Sequence, residues 1–87
     1  MASYKVEWKQ SAVKELRDLP RGAVTRILKA VEQLSMNPYA AGARKIVGSE
    51  HTYRVREGDY RIIYSVTASS LVVEIIRVGH RKDIYKR

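Results

Sequence analysis

Cysteine is absent from these 87 residues. No disulfide can staple the fold, and no thiol can serve as nucleophile or metal ligand. A reducing compartment suits such a chain. No apolar run comes near the roughly 20 residues needed to cross a bilayer. The first residues, Met1-Ala2-Ser3-Tyr4-Lys5, do not read as a secretory leader. The expectation is a cytoplasmic protein with no membrane partner. Repeats, low-complexity tracts and linkers are missing too, so residues 1–87 are read as a single domain. A domain of this size buries only about 60–65% of the surface of its unfolded chain, so the core will be thin.

Several kinds of site are also missing. Asp and Glu are scattered, His51 and His80 lie far apart, and no metal-ligand spacing recurs. There is no phosphate-cradling glycine loop and no dinucleotide fingerprint. The serines lack an obvious base partner. Neither a metal nor a small-molecule cofactor is expected.

Positive charge is what the chain has in quantity. Seventeen Lys and Arg stand against nine Asp and Glu, a formal net charge of +8. That balance bears on partners rather than on fold: nucleic acid, an anionic membrane surface or an acidic protein.

Periodicity supplies the elements. Tyr4-Lys5-Val6-Glu7-Trp8 alternates apolar and charged residues, the period of a half-buried strand. Ser11 is placed to cap a helix to about Leu19, with Val13, Leu16 and Leu19 inside and Lys14, Glu15, Arg17 and Asp18 outside. After Pro20-Arg21-Gly22, the stripe Val24, Ile27, Leu28, Val31, Leu34 predicts a second helix to about Ser35. Residues 39–49 read as a connection, with Ile46 and Val47 anchored on the core. Strands follow near His51–Arg56, Tyr60–Val66 and Leu71–Val78, separated by turns at 57–59 and 67–70. The fold class is α+β: an N-terminal strand, then a helical hairpin packed on one face of a four-stranded, mainly antiparallel sheet.

Side chains alternate across a strand, so the faces can be assigned. A two-residue loop at Gly58-Asp59 pairs Glu57 with Tyr60, Arg56 with Arg61 and Arg54 with Ile63. Pairing Val66 with Leu71 in the next hairpin sets Tyr64 against Val73, Ile62 against Ile75 and Tyr60 against Arg77. One face then carries Val55, Tyr60, Ile62, Tyr64, Val66, Leu71, Val73 and Ile75. The other carries Arg54, Arg56, Arg61, Ser65, Glu74 and, at its end, His80. Arginines directly opposite each other repel, and an anion between them relieves that. The tail adds Arg81, Lys82, Lys86 and Arg87, with Tyr85 among them. Cations with an interleaved ring suit single-stranded RNA: charge for phosphates, a ring for a base.

RNA permits chemistry without a metal, because its 2′-hydroxyl can attack the adjacent phosphorus. The protein must orient that attack, offset charge on the phosphorane-like transition state and move two protons. Arginine suits the charge role. It suits the proton-accepting role badly, because a guanidinium stays protonated.

"RVREGDYRIIYSV" followed by "VGHRKDIY", after a helical hairpin, resembles the RelE/ParE superfamily of toxin–antitoxin toxins. The resemblance spans essentially the whole chain, and Arg61, Arg81 and Tyr85 together look like its RelE branch. It implies a toxin that enters the ribosomal A site and cuts mRNA there, held silent by a cognate acidic RelB-like antitoxin. By the same resemblance, Arg61 contacts the scissile phosphate. Arg81 stabilises charge or protonates the leaving 5′-oxygen, and Tyr85 stacks on a base of the codon. Arg54 and Arg56, with Lys82 and Lys86, would hold RNA or rRNA. Arg54 and Arg56 fall where well-known members carry lysines, one of them proposed as general base, and the hairpin turn is two residues shorter here. His80, beside Arg81, and His51, near the start of the arginine strand, are both of a residue type that titrates near neutrality, and His80 is the favoured proton-transfer group. Two alternatives stay open: a ParE-like inhibitor of DNA gyrase on the same fold, and a non-enzymatic basic RNA-binding module.

Overall fold

A computed structural model describes residues 3–40 and 42–84. The order is β1 (Lys5–Trp8), α1 (Gln10–Arg17), α2 (Arg21–Met36), β2 (Arg44–Lys45), β3 (Thr52–Glu57), β4 (Tyr60–Thr67), β5 (Val72–His80) and α3 (Arg81–Ile84). The strands form one sheet in the order β1-β5-β4-β3-β2. β1 runs parallel to β5, and the other neighbours are antiparallel. The α+β class stands, with five strands instead of four. The added strand, β2, is two residues long and lies in what read as a connection.

The helices form where the apolar stripes predict them. α2 buries Ala23, Ile27, Val31 and Leu34, spaced to share one face. Leu28, at the margin of that stripe, is exposed. α1 contributes fully buried Ala12, with Leu16 packed against the core beside it. Ser11 does not cap this helix. It starts two residues earlier than a Ser11 cap would place it, at Gln10 after Lys9, without a side-chain cap. From the sheet come Ile62, Tyr64, Val66, Val73, Ile75 and Val78. Ile46 is half-buried, but Val47 is 99% exposed and anchors nothing.

The β3–β4 hairpin has the expected register, from Glu57↔Tyr60 through Arg56↔Arg61 to Arg54↔Ile63. Gly58 takes φ 60 at the first loop position, a left-handed conformation that costs glycine little and suits the twist of a two-residue hairpin. The β4–β5 hairpin departs from expectation. Val66 pairs with Val73, not Leu71, because Ala68–Leu71 forms a four-residue loop closed by Leu71 at φ 54. A shift of two residues keeps Val73 and Ile75 on the core face. A bulge follows: Tyr64 pairs with Ile75, Ile63 with Arg77, and Ile76 has no partner. That odd residue reverses the parity of the strand's end.

Tyr64 is fully buried, and its hydroxyl donates to the Pro38 carbonyl at 2.7 Å, tying the sheet to the end of α2. Burial, reinforced by Tyr53 and then Tyr39, pushes that hydroxyl up to about 12. The neutral form is the one the fold favours. Its contribution is therefore whole below the ordinary tyrosine value near 10 and is lost as pH rises through about 12. Tyr64→Phe is expected to cost about 1–2 kcal/mol near neutral pH, from the lost bond and the carbonyl left behind. It should also fall less steeply than wild type across that alkaline window. Urea titrations at a series of pH values check both.

Candidate functional site

Backbone pairing gathers the arginines. Arg56 stands across from Arg61 on the β3–β4 ladder, and Arg44 across from Arg54 on the β2–β3 ladder. Together they line a cleft of about 460 Å³ with Gly42 and Val55. Arg44 is the member that sequence reasoning missed. Its strand is too short to show alternation, and only the crowding of basic residues at Arg44-Lys45 hinted at it.

The four arginines differ in exposure. Arg44, Arg54 and Arg56 are exposed, while Arg61 is half-buried. Arg61 Nη1 donates to the Tyr60 carbonyl at 3.2 Å, and Arg56 Nε to the Gly58 carbonyl at 3.2 Å. Each bond uses one of a guanidinium's five donors and fixes the direction of the rest. No acidic side chain is among the described residues lining the cleft. Glu74, the one carboxylate expected on this face, stands opposite Ser65. Ser65 is four residues from Arg61, roughly 13 Å along the strand. An anion entering the cleft thus meets concentrated positive charge, and bidentate pairing with phosphate is what guanidinium forks do best.

The end of β5 meets this cleft at Arg61↔Gly79. Two residues on, the Arg81 N–H donates to the Asp59 carbonyl at 2.8 Å, pinning the start of α3 to the β3–β4 turn. Arg81 and Lys82 are exposed there. His80 is not on the arginine face, contrary to expectation, because the bulge sets it opposite Tyr60. Its ring meets the Tyr60 ring edge-on, centroids 5.6 Å apart, and its Nδ1 accepts the Lys82 N–H at 3.1 Å. The neutral ring then carries its proton on Nε2. His51 precedes β3 at the other end of the hairpin, 3.8 Å from Glu50 and away from the Arg56–Arg61 pair. Tyr85 and Lys86, expected to stack on a base and to hold RNA, lie outside the described residues.

Among the described residues, no group of three or more His, Asp or Glu is placed to hold a metal ion. No helix among them is long and apolar enough to cross a membrane.

The family described as the ParE toxin of the type II toxin–antitoxin system parDE matches residues 6–85. Toxin RelG of Mycobacterium tuberculosis is 33% identical over 88 residues, covering 97% of this chain and 98% of its own length. Toxin RelE3 of Methanocaldococcus jannaschii is 34% identical over 85 residues, covering 93% of this chain and 94% of that toxin. Among solved structures, the archaeal RelE–RelB complex from Pyrococcus horikoshii contains a chain that superposes with a TM-score of 0.81 at 31% identity. That match covers 93% of this chain and 98% of the other.

Proposed function

This chain belongs to the RelE/ParE superfamily of type II toxins, and on that premise we propose that it is a ribosome-dependent mRNA endonuclease silenced by an acidic RelB-like antitoxin. The observation that carries this reading is the four-arginine cleft with the Gly79–Arg81 segment in register beside it. A cleft of that size, lined by four arginines, suits a nucleic-acid backbone.

In the proposed reaction the 2′-hydroxyl oxygen bonds to the adjacent phosphorus, and the bond from phosphorus to the 5′-oxygen breaks. One proton leaves the hydroxyl and one arrives on the 5′-oxygen, giving a cyclic phosphate and a new 5′-hydroxyl end. Arg61 holds the phosphate and offsets its growing charge. Arg81 stabilises the leaving oxygen. Arg54, Arg56 and Arg44 hold the flanking backbone. Lys82, with Lys86 and the base-stacking Tyr85 from the tail, completes the RNA contacts. His80, which faces Tyr60 on the side of the sheet away from the arginines, takes no part in that proton transfer.

Few groups here hold a substrate in line, so the ribosome is assigned that task; orientation alone can be worth about 7–11 kcal/mol. Short free RNA is expected to survive incubation with the purified chain, while message on translating ribosomes is cut. Toeprinting reads the difference: A-site cuts support the proposal, and efficient cleavage of free RNA overturns the ribosome's role. The ParE description of the matching family favours a second reading, inhibition of DNA gyrase. Intact message together with blocked gyrase supercoiling would establish that reading instead.

A further inference from the structure

The bulge in β5 decides which residues at the strand's end oppose the arginines. With it, Gly79 faces Arg61 and His80 faces Tyr60. Without it, pairing would run on from Tyr64↔Ile75 to set Val78 against Arg61 and Gly79 against Tyr60. Every side chain from Arg77 onward would change sides, and buried Val78 would be turned out of the core. Arg81 would also be carried one residue away from its bond to the Asp59 carbonyl.

A bulge is locally disruptive and needs partners for the backbone groups it displaces. β1 covers β5 only from Val72 to Ile75. Beyond that point α1 lies alongside, its start tied on by the Lys9 N–H donating to the Ile75 carbonyl at 3.0 Å. One turn into this helix, Glu15 points at the bulge instead of at solvent. Its Oε1 accepts the Val78 N–H at 3.1 Å. Its Oε2 accepts from Arg77 Nε and Nη2, each at 3.3 Å. A single carboxylate thus holds a backbone donor and a cation on the two residues that follow unpaired Ile76.

We infer that Glu15 is a positioning residue that locks the bulge and so fixes Gly79, His80 and Arg81 in register with Arg61. It touches no substrate. Its consequence for cleavage rests on the endonuclease reading; the lock itself does not.

The test separates the two. Isotope-labelled chain carrying Arg61→Ala, to permit expression, is compared with and without Glu15→Ala and Glu15→Gln. In Glu15→Ala, the Val78 amide is expected to exchange about tenfold faster or more, while core amides at Tyr64 and Val73 stay protected. Inter-strand NOEs between residue 61 and Gly79, and between the Tyr60 and His80 rings, should weaken. Glu15→Gln keeps an acceptor for Val78 and should retain much of the register, which keeps the test decisive if the alanine variant does not fold. With Arg61 restored, Glu15→Ala should lower kcat on ribosomes about tenfold or more with little change in KM. Unchanged Val78 exchange and unchanged NOEs would overturn the lock. Altered register with undiminished cleavage would overturn the positioning role. If wild type cuts no message at all, the endonuclease reading fails and the NMR comparison alone decides for or against the lock.

Discussion

Arg61→Ala and Arg81→Ala are each expected to lower cleavage of ribosome-bound message by about 10²–10³-fold, by analogy with losing one donor to a developing anion. The expectation follows from where charge grows. In-line attack concentrates negative charge on the phosphoryl oxygens and then on the departing 5′-oxygen, and no other cation is assigned to those atoms. Arg61 stands centrally on the sheet with one N–H committed to the Tyr60 carbonyl, so its fork is aimed before substrate arrives. The main chain at Arg81 is held beside the β3–β4 turn by its bond to the Asp59 carbonyl. Neither side chain belongs to the buried core, so both variants should remain folded. Arg61 is half-buried, and losing its stem should cost about 1 kcal/mol of stability. Arg44→Ala serves as the contrasting variant. It removes a cation from the cleft lining, so on the proposed reading it should weaken binding and reduce the salt dependence rather than lower kcat. Single-turnover cleavage on programmed ribosomes, with circular dichroism to verify folding, checks all three. A folded Arg61→Ala, Arg81→Ala double variant cutting near the wild-type rate would refute the assignment.

Much of this site was legible in the sequence because strands write it in period two. Alternation in Thr52–Glu57 and Tyr60–Thr67, with Gly58 to close the loop, was enough to set Arg54, Arg56 and Arg61 on one face. An inserted residue is harder to see than alternation. Its one trace in the residue types is the doublet Ile75-Ile76 between Glu74 and Arg77, and carrying period two straight through that doublet puts His80 on the wrong face. Leu71 misled for a related reason. A β-turn with a left-handed residue is read from Gly or Asn, and leucine at φ 54 gives no such signal. Glu15 read as a solvent-facing residue of an amphipathic helix. Helical periodicity says which way a side chain leaves the helix, but not that a sheet edge stops short beneath it.

Expressed without a partner, the wild-type chain is expected to arrest growth, and co-expression of a small acidic antitoxin to relieve it. On the proposed reading, a chain of net charge +8 with four arginines on an open cleft would bind RNA until something covers it. An acidic segment with little structure of its own would be drawn in by that field and would fold on arrival. Two surfaces suit it. The outer edge of β1 ends the sheet, so its unpaired backbone groups can accept another strand. Leu28 and Met36, about two turns apart on α2 and 47% and 66% exposed, offer apolar area for an amphipathic helix. Leu28→Glu is accordingly expected to weaken relief by the antitoxin about tenfold or more while leaving ribosomal cleavage intact, because it lies on the helix rather than in the cleft. Growth curves under induced expression, with copurification of the pair, measure both effects. Arrest that follows from the wild type but not from Arg61→Ala ties toxicity to the cleft. Unimpaired growth with the wild-type chain alone, at verified soluble levels, would sink the toxin and its antitoxin together.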